Sequence, residues 1–401
     1  MHDVIIVGAR SAGASTALLL ARKGYRVLLL DRADFPSDAI SSHYIHVAGV
    51  ARLRRWGGIE EGLVASGAPK VRGQLFDLGA FALRGTVRAA DGTDYGYAPR
   101  RTVFDRLLVD AAVAAGAELR TGYAVAGLRF DDGRVTGVRG ARGEERARVV
   151  VGADGRRSTV ARAAGSAAYD ERPARTCYHY SYWEGVSIEA AELYWRERSA
   201  LLAVPTHDGL TMVAMISPLG ELRACQADVQ GTFDRALVTT PALRERIAAG
   251  RRVERFRTTT ETGGLFRTPA GPGWALVGDA GHHKNPITAQ GMMDAFRDAE
   301  LLADALDRAL SGETPMDAAL AAYHTERDTG LAAAFELTDE LARLDFPAEM
   351  PLLLAALRDD AEQTEAFLGT IAGTTPPEAF YTPANIQQIM RAAASRAARA
   401  G

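Results

Sequence analysis

The sequence predicts an α/β chain: a Rossmann-like domain of three layers, interrupted by a second domain on a mixed β-sheet and closed by a C-terminal helical segment. Three observations predict it. A strand, glycine turn, helix and strand open the chain between Asp3 and Asp31. Short unbroken apolar runs return at Val149–Val151 and Trp274–Val277, each followed by a turn of glycine and aspartate. Between them lies an aromatic-rich stretch, and beyond Pro315 the chain turns to Ala, Leu and Arg. The expected division is 1–73, 99–165 and 258–330 for the first domain, 74–98 and 166–257 for the second, and 331–401 for the helical segment.

The opening unit reads DVIIVGARSAGASTALLLARKGYRVLLLD. Val4–Val7 is an unbroken apolar run, the pattern of a strand buried on both faces. Gly8 turns the chain, and Arg10, Ser11, Ala12 and Gly13 lead into the apolar helix Ala14–Ala21. Gly24 ends that helix. Val27–Leu30 is a second buried strand, with Asp31 at its end and Arg32 after it. A helix N-terminus offers free N–H groups and a partial positive charge, so this unit suits a pyrophosphate. The acid after the second strand suits ribose hydroxyls. Arg10 stands where such units usually carry a glycine, and a guanidinium there can pair with phosphate directly. The alternative is an ordinary α/β unit with a surface arginine.

Composition narrows the class. The net charge of −3 gives no reason to expect nucleic acid or an anionic membrane surface as partner. Three lysines, Lys23, Lys70 and Lys284, stand against 44 arginines, which reads as coding bias. The two cysteines, Cys177 and Cys225, are far apart in sequence and argue against a disulfide framework or a zinc site, so no metal is expected. No window has the ~20 apolar residues of a membrane span. The chain starts directly on its first strand, so no signal peptide is expected and a cytoplasmic protein is.

The segment Arg32–Val47 is rich in Asp, Ser and His and reads as a loop. His43 and His46 within it either line a ligand site or are bonded structurally. Helix follows around Val50–Leu63, interrupted at Gly57–Gly58. Gln74–Tyr97, with a turn at Asp91–Gly92, reads as antiparallel strands. A helix over Phe104–Ala115 follows Arg100–Arg101. Glu118–Ala124 resembles another strand of the first sheet, and Leu128–Val138 a hairpin around Asp132–Gly133. In the second domain Tyr178, Tyr180, Tyr182, Trp183, Tyr194 and Trp195 either wall an apolar pocket or pack a sheet face. A hairpin is expected around Asp208–Gly209, helices at Phe233–Val238 and Ala242–Ala248, and a long helix from Gly291 to about Leu310. The last helices are expected to pad the first domain.

Three motifs, in order, resemble those of the class A flavoprotein monooxygenases of the p-hydroxybenzoate hydroxylase fold, with their relatives the flavin-dependent halogenases and geranylgeranyl reductases. They are the Gly8–Gly13 unit ending at Asp31, VVGADGRRSTVAR at Val150–Arg162, and GDAGHHKNPITAQGMMDAFRDAELLADAL at Gly278–Leu306. The resemblance covers about residues 1–330 and implies FAD as cofactor. It implies that Asp279, after Gly278, accepts a bond from a ribityl hydroxyl, and that Pro286 sits beside the flavin ring. Gly291 and Met292 would present N–H groups to the N1–C2=O edge. It further implies cofactor contacts for Arg101, backbone contacts to adenine near Val125, and a role for Asp154–Gly155 in handling FAD and NAD(P)H. The family's terminal arginine of the second motif would fall at Ala161, with Arg162 one place later. Met293 replaces an asparagine common in the third.

Only one dinucleotide fingerprint is present, which fits NAD(P)H as a transient co-substrate. The implied activity is oxygenation of an apolar or aromatic small molecule by O₂ through a flavin C4a-hydroperoxide. His282, His43 and His46 are the candidates for substrate contact or proton transfer, although His282 can equally hold its loop by hydrogen bonds. A halogenase needs a lysine by a tunnel. Only Lys70 is a candidate for that, and no WxWxIP signature exists. A reductase of an isoprenoid-like substrate has an aromatic-x-aromatic-x-Phe-Pro motif, of which Tyr180–Gly185 matches only the start. A structural flavin in a binding module or redox-neutral cyclase is the remaining reading. A monomer or homodimer is expected.

Overall fold

The structure is a computed structural model and describes residues 1–140, 142–347 and 349–400. Its first sheet has a core of five parallel strands. His2–Val7 is central. Val27–Leu30 and then Glu118–Arg120 lie on one side, and Gly143–Gly152 and then Trp274–Leu276 on the other. Strand order reverses at His2–Val7, which opens a crevice at the C-terminal ends of the strands.

The unbroken apolar runs have a simple cause: both faces of this sheet are covered. Val4, Ile6, Leu29, Val149 and Val151 pack beneath the helices Ser11–Arg22, Arg101–Ala114 and Gly291–Leu310. Ile5, Val7, Leu28, Leu30 and Val150 face the hairpin Val125–Asp131/Arg134–Gly140. Successive strand residues point to opposite faces, so a strand between two layers has no polar side. Helices, parallel sheet and hairpin make the three layers.

The second sheet runs Arg251–Arg252, Thr176–Glu184, Thr211–Pro218, Ser199–Pro205, Ala191–Arg196, Gln74–Asp77 and Ala82–Gly85. Arg257–Thr259 also pairs with Thr176–Glu184. Alternation again separates its faces. Trp183, Tyr194, Leu201, Val213 and Met215 pack under Val229–Val238 and Pro241–Ala248, with Trp183 stacked on Phe233 at 5.1 Å. Tyr178, Tyr180, Leu202, Met212, Ala214 and Ile216 look the other way, into a cavity.

Two expectations change here. The Asp91–Gly92 turn does not join a hairpin. Ala82–Gly85 pairs with Gln74–Asp77, and Tyr95–Tyr97 pairs with Lys70–Arg72 in a separate ribbon. The C-terminal helices do not all pad the first domain. Met316–Leu341 does, against Gly291–Leu310, but Leu354, Leu357, Phe367 and Leu368 share a core with Phe76, Leu83 and Trp195 of the second sheet. Cys177 and Cys225 are both buried free thiols, and burial, followed by Cys225, pushes the Cys177 thiol up to about 12.

Candidate functional site

A cleft of about 590 Å³ fills the crevice at the strand ends. Gly8, Arg10, Ser11, Ala12, Asp31, Arg32, Arg101, Val125, Asp154, Gly278, Asp279, His282, Pro286, Gly291 and Met292 all line it. Those at Gly8–Ala12, Asp31–Arg32, Val125, Asp154 and Gly278–Asp279 converge because the strands that precede them are parallel neighbours. Gly13 lies just behind the lining. A Cβ there would stand 1.8 Å from the Gly8 carbonyl oxygen, and one on Gly8, at φ +102°, would stand 2.4 Å from that of Ala153. Glycine is needed at both positions because backbone passes against backbone.

Two helix N-termini open into the cleft. Ser11–Arg22 has no side-chain cap and no acid in its first turn. Gly291–Leu310 also lacks a side-chain cap. Their free N–H groups carry the positive ends of two helix dipoles. At Gly291 a Cβ would meet nothing within 4 Å, since it would enter the cleft.

Asp105 was not anticipated from the sequence, and it organises the basic side of the cleft. Its carboxylate is fully buried and accepts from Arg101 Nε at 2.9 Å and Nη2 at 2.7 Å, and from Arg10 Nη1 at 2.6 Å. Arg10 also bonds Ser37 Oγ at 3.0 Å and the Asp38 carbonyl at 3.2 Å. Arg10 thus lines the cleft while its guanidinium ties the 37–38 loop to Asp105. Two arginines on one carboxylate leave a net positive charge beside the uncapped Ser11 turn.

The three aspartates at the strand ends differ. Asp31 accepts from the Ala9 N–H at 2.7 Å and the Ala33 N–H at 2.8 Å, so it braces the glycine turn. Asp154 accepts from Ser158 Oγ and the Thr159 N–H, and holds the start of the short helix Thr159–Ala163. Asp279 is the open one, with Arg156 Nε at 3.4 Å and its side chain 45% exposed.

A second cavity of about 510 Å³ adjoins the first. Arg32, Ile40–Ser42, Asp154, Arg156, Arg157, Asp279 and Pro286 line both. Its far wall is the apolar face of the second sheet with Ile287, and Thr258–Thr260 and Glu261 complete the rim.

Of the three candidate histidines, only His282 reaches a cavity. Its ring packs against Phe266 at 4.5 Å and Phe335 at 5.9 Å. Burial, and then Lys284, hold its pKa well below the usual histidine value. His43 is fully buried at φ +60° and bonds the Tyr182 hydroxyl through Nε2. Burial, with Arg101 and Arg100 nearby, lowers its pKa to about 3. His46 Nε2 donates to the Thr288 carbonyl at 2.8 Å, and burial lowers its pKa to about 4. Neither His43 nor His46 lines either cavity. The loop that carries them lies over the cleft, but their rings turn inward to satisfy buried polar groups.

The FAD binding domain family matches residues 1–338 of the chain. The chain belongs to this family of FAD-dependent oxidoreductases. It is 30% identical over 339 residues to rifampicin monooxygenase of Streptomyces venezuelae, covering 82% of this chain and 68% of that one. It is 28% identical over 329 residues to digeranylgeranylglycerophospholipid reductase of Methanosarcina mazei, covering 77% and 76%. It is 26% identical over 337 residues to tryptophan 2-halogenase of Chondromyces crocatus, covering 80% of this chain and 64% of the halogenase. Among solved structures, P. aeruginosa PqsL in complex with 2-aminobenzoylacetate superposes with a TM-score of 0.76 at 26% identity, covering 92% and 99% of the two chains. The flavin-dependent brominase Bmp2 shares the fold, with a TM-score of 0.82 at 18% identity and coverage of 98% and 99%.

The cleft fits FAD by its own features: two uncapped helix N-termini, two arginines on the buried Asp105 carboxylate beside one of them, and glycine backbone at its closest approaches. Sequence reasoning missed several residues that line it. Arg156 and Arg157 follow the Asp154–Gly155 pair directly, and Ile40–Ser42 carry no distinguishing pattern. Lys284 was overlooked although lysine is rare here. Lys70 is exposed, its Nζ over the Tyr95 ring at 3.9 Å, and it lines neither cavity. The lysine beside the FAD cleft is Lys284, which corrects the candidacy given to Lys70.

Proposed function

We infer that this FAD-dependent oxidoreductase is an NAD(P)H-consuming monooxygenase of an apolar or aromatic small molecule. One observation carries the reading: an apolar cavity walled by Tyr178, Tyr180, Leu202, Met212, Ala214 and Ile216 meets the cofactor cleft at Pro286 and Asp279. Its volume suits a small ligand. Bound FAD supplies the redox chemistry, and the chain supplies binding, orientation and exclusion of water.

In this reading the N–H groups of Ser11–Gly13, with Arg101 held by Asp105, bind the pyrophosphate. Asp31 and Arg32 stand at the ribose end, and backbone near Val125 meets the adenine. Asp279 takes a ribityl hydroxyl. Pro286 divides the cofactor from the substrate, and the Gly291–Met292 N–H groups stabilise negative charge at the ring's edge. His282 stays neutral between two phenylalanine rings and holds its strand, and His43 and His46 hold the covering loop. The domain division expected above follows the same line, with the second sheet as the substrate side.

The reductase reading is favoured by one observation, the likeness to the Methanosarcina reductase. It competes on oxygen alone. In a panel of phenols, naphthols and quinones, the monooxygenase reading expects one class to accelerate NADH or NADPH oxidation only in air. Acceleration that persists under argon would favour the reductase. Halide-dependent products would favour a halogenase.

A further inference from the structure

Beneath the cofactor cleft lies a group of buried ionisable side chains that FAD binding as such does not require. Lys284 Nζ stands 3.0 Å from Asp294 Oδ2, with the two side chains 4% and 9% exposed. Both residues line the cleft. Lys284 precedes Asn285–Pro286, and Asp294 lies in the first turn of Gly291–Leu310. One helical turn on, Asp298 is fully buried, and neither of its oxygens has a hydrogen-bond partner among the described residues. Arg327, also fully buried, crosses from Met316–Leu341 to the carbonyls of Gly281 at 3.3 Å and Arg267 at 2.9 Å.

A buried ion pair is poor evidence of a stability device. Desolvation offsets the attraction, and an apolar pair of the same volume serves a core as well. Location gives this pair another meaning. A carboxylate in the first turn of a helix sits at the positive end of the helix dipole. Here that end opens on the cofactor cleft. Asp294 alone would cancel the field that favours negative charge there, and Lys284 neutralises Asp294. In a wall of low dielectric such charges act over several ångströms, without contact.

We propose that the Lys284–Asp294 pair tunes the reduction potential of bound FAD. Lys284 favours the form carrying extra negative charge, and Asp294 opposes it. The proposal rests on FAD binding and is independent of whether the substrate is oxygenated or reduced.

The test is the midpoint potential of the bound flavin, measured by anaerobic equilibration with a reference dye. The couple is oxidised FAD taking up two electrons and one proton to give the reduced anion. Lys284→Met shifts this equilibrium at least tenfold toward the oxidised form, about 30 mV lower for a two-electron couple. Asp294→Asn shifts it in the opposite direction. Lys284→Arg, and the paired change Lys284→Met with Asp294→Leu, stay near the parent value. Single variants that bind FAD yet move the potential in the same direction, or by less than tenfold, overturn the proposal. Should Lys284→Met fail to fold, Asp294→Asn decides alone, since an unchanged or lowered potential contradicts it. Parent protein that holds no FAD would overturn the cofactor assignment itself, an outcome visible before any potential is measured.

Discussion

Asp105 shows how much of the site hangs on single residues. It is the only carboxylate bonded to Arg10 and Arg101 among the described residues, and its side chain is fully buried. Removing one partner of a buried ionic cluster costs about 3–5 kcal/mol, because the remaining charge stays desolvated and unpaired. Asp105→Ala is expected to lower the urea midpoint accordingly and to release FAD on gel filtration, whereas Thr102→Ala on the same helix does neither. Gly13→Ala places a methyl group into the Gly8 carbonyl, with 1.8 Å available. The protein is expected to purify colourless, as judged by its flavin absorption. At this scale the sequence was legible wherever chemistry is written as a local pattern. The glycine turn, Asp279 and the Gly291–Met292 turn all emerge in one cleft. The Asp105 partner of Arg10 is not legible, because it stands 95 residues away and no spacing announces it. Which of the three histidines reaches a cavity is not legible, because residue type says nothing of whether a ring faces a cavity or a carbonyl.

Elements were more legible than their partners. The helix from Gly291 to Leu310 matches its expected bounds because its apolar spacing is strong and glycine opens it. The strand Thr176–Glu184 is visible as aromatic-rich sequence, yet only Tyr178 and Tyr180 of its aromatics line the cavity, while Trp183 turns under the helices. Period-two alternation decides this, and the aromatic count had obscured it. The C-terminal helices were readable as helices, but nothing in an Ala- and Leu-rich face names the surface it covers. Leu368, 2% exposed, packs from Ala361–Ala372 into the core that holds Leu83 and Phe76. Leu368→Ala is expected to cost about 2–5 kcal/mol. In hydrogen exchange the loss of protection should centre on Gln74–Gly85, with the parallel sheet little changed. An effect confined to the Rossmann-like layers would contradict the packing described.

For the whole molecule, buried neutral histidines set the response to acid. Burial lowers His43 to about 3 and His46 and His283 to about 4, with His282 lower still than an ordinary histidine. The unfolded chain takes up these protons below about pH 6.5 and the folded chain does not. Stability is therefore complete above pH 6.5 and falls as pH drops, by about 1.4 kcal/mol per pH unit for each such histidine. Asp298 acts with the opposite sign. Burial raises it to about 7, so the folded chain keeps a proton that the unfolded chain releases between about pH 4 and 7. The histidines outnumber it. The melting temperature is expected to fall steadily from pH 6.5 to 4.5, less steeply in His46→Gln, which keeps an N–H for the Thr288 carbonyl. Asp298→Asn should stabilise the protein near pH 8 and do little near pH 4. A flat profile would mean that these rings are solvated.

We propose that FAD bound in this cleft supports oxygenation of an apolar substrate by O₂. Oxygen uptake tests it most directly, followed with an electrode while NADH or NADPH turns over with and without an aromatic substrate, catalase being added to report peroxide. The expected result is uptake that a substrate accelerates and that catalase then returns only in small part, because oxygen ends in the product. Turnover that accelerates with substrate but proceeds equally without oxygen would contradict it.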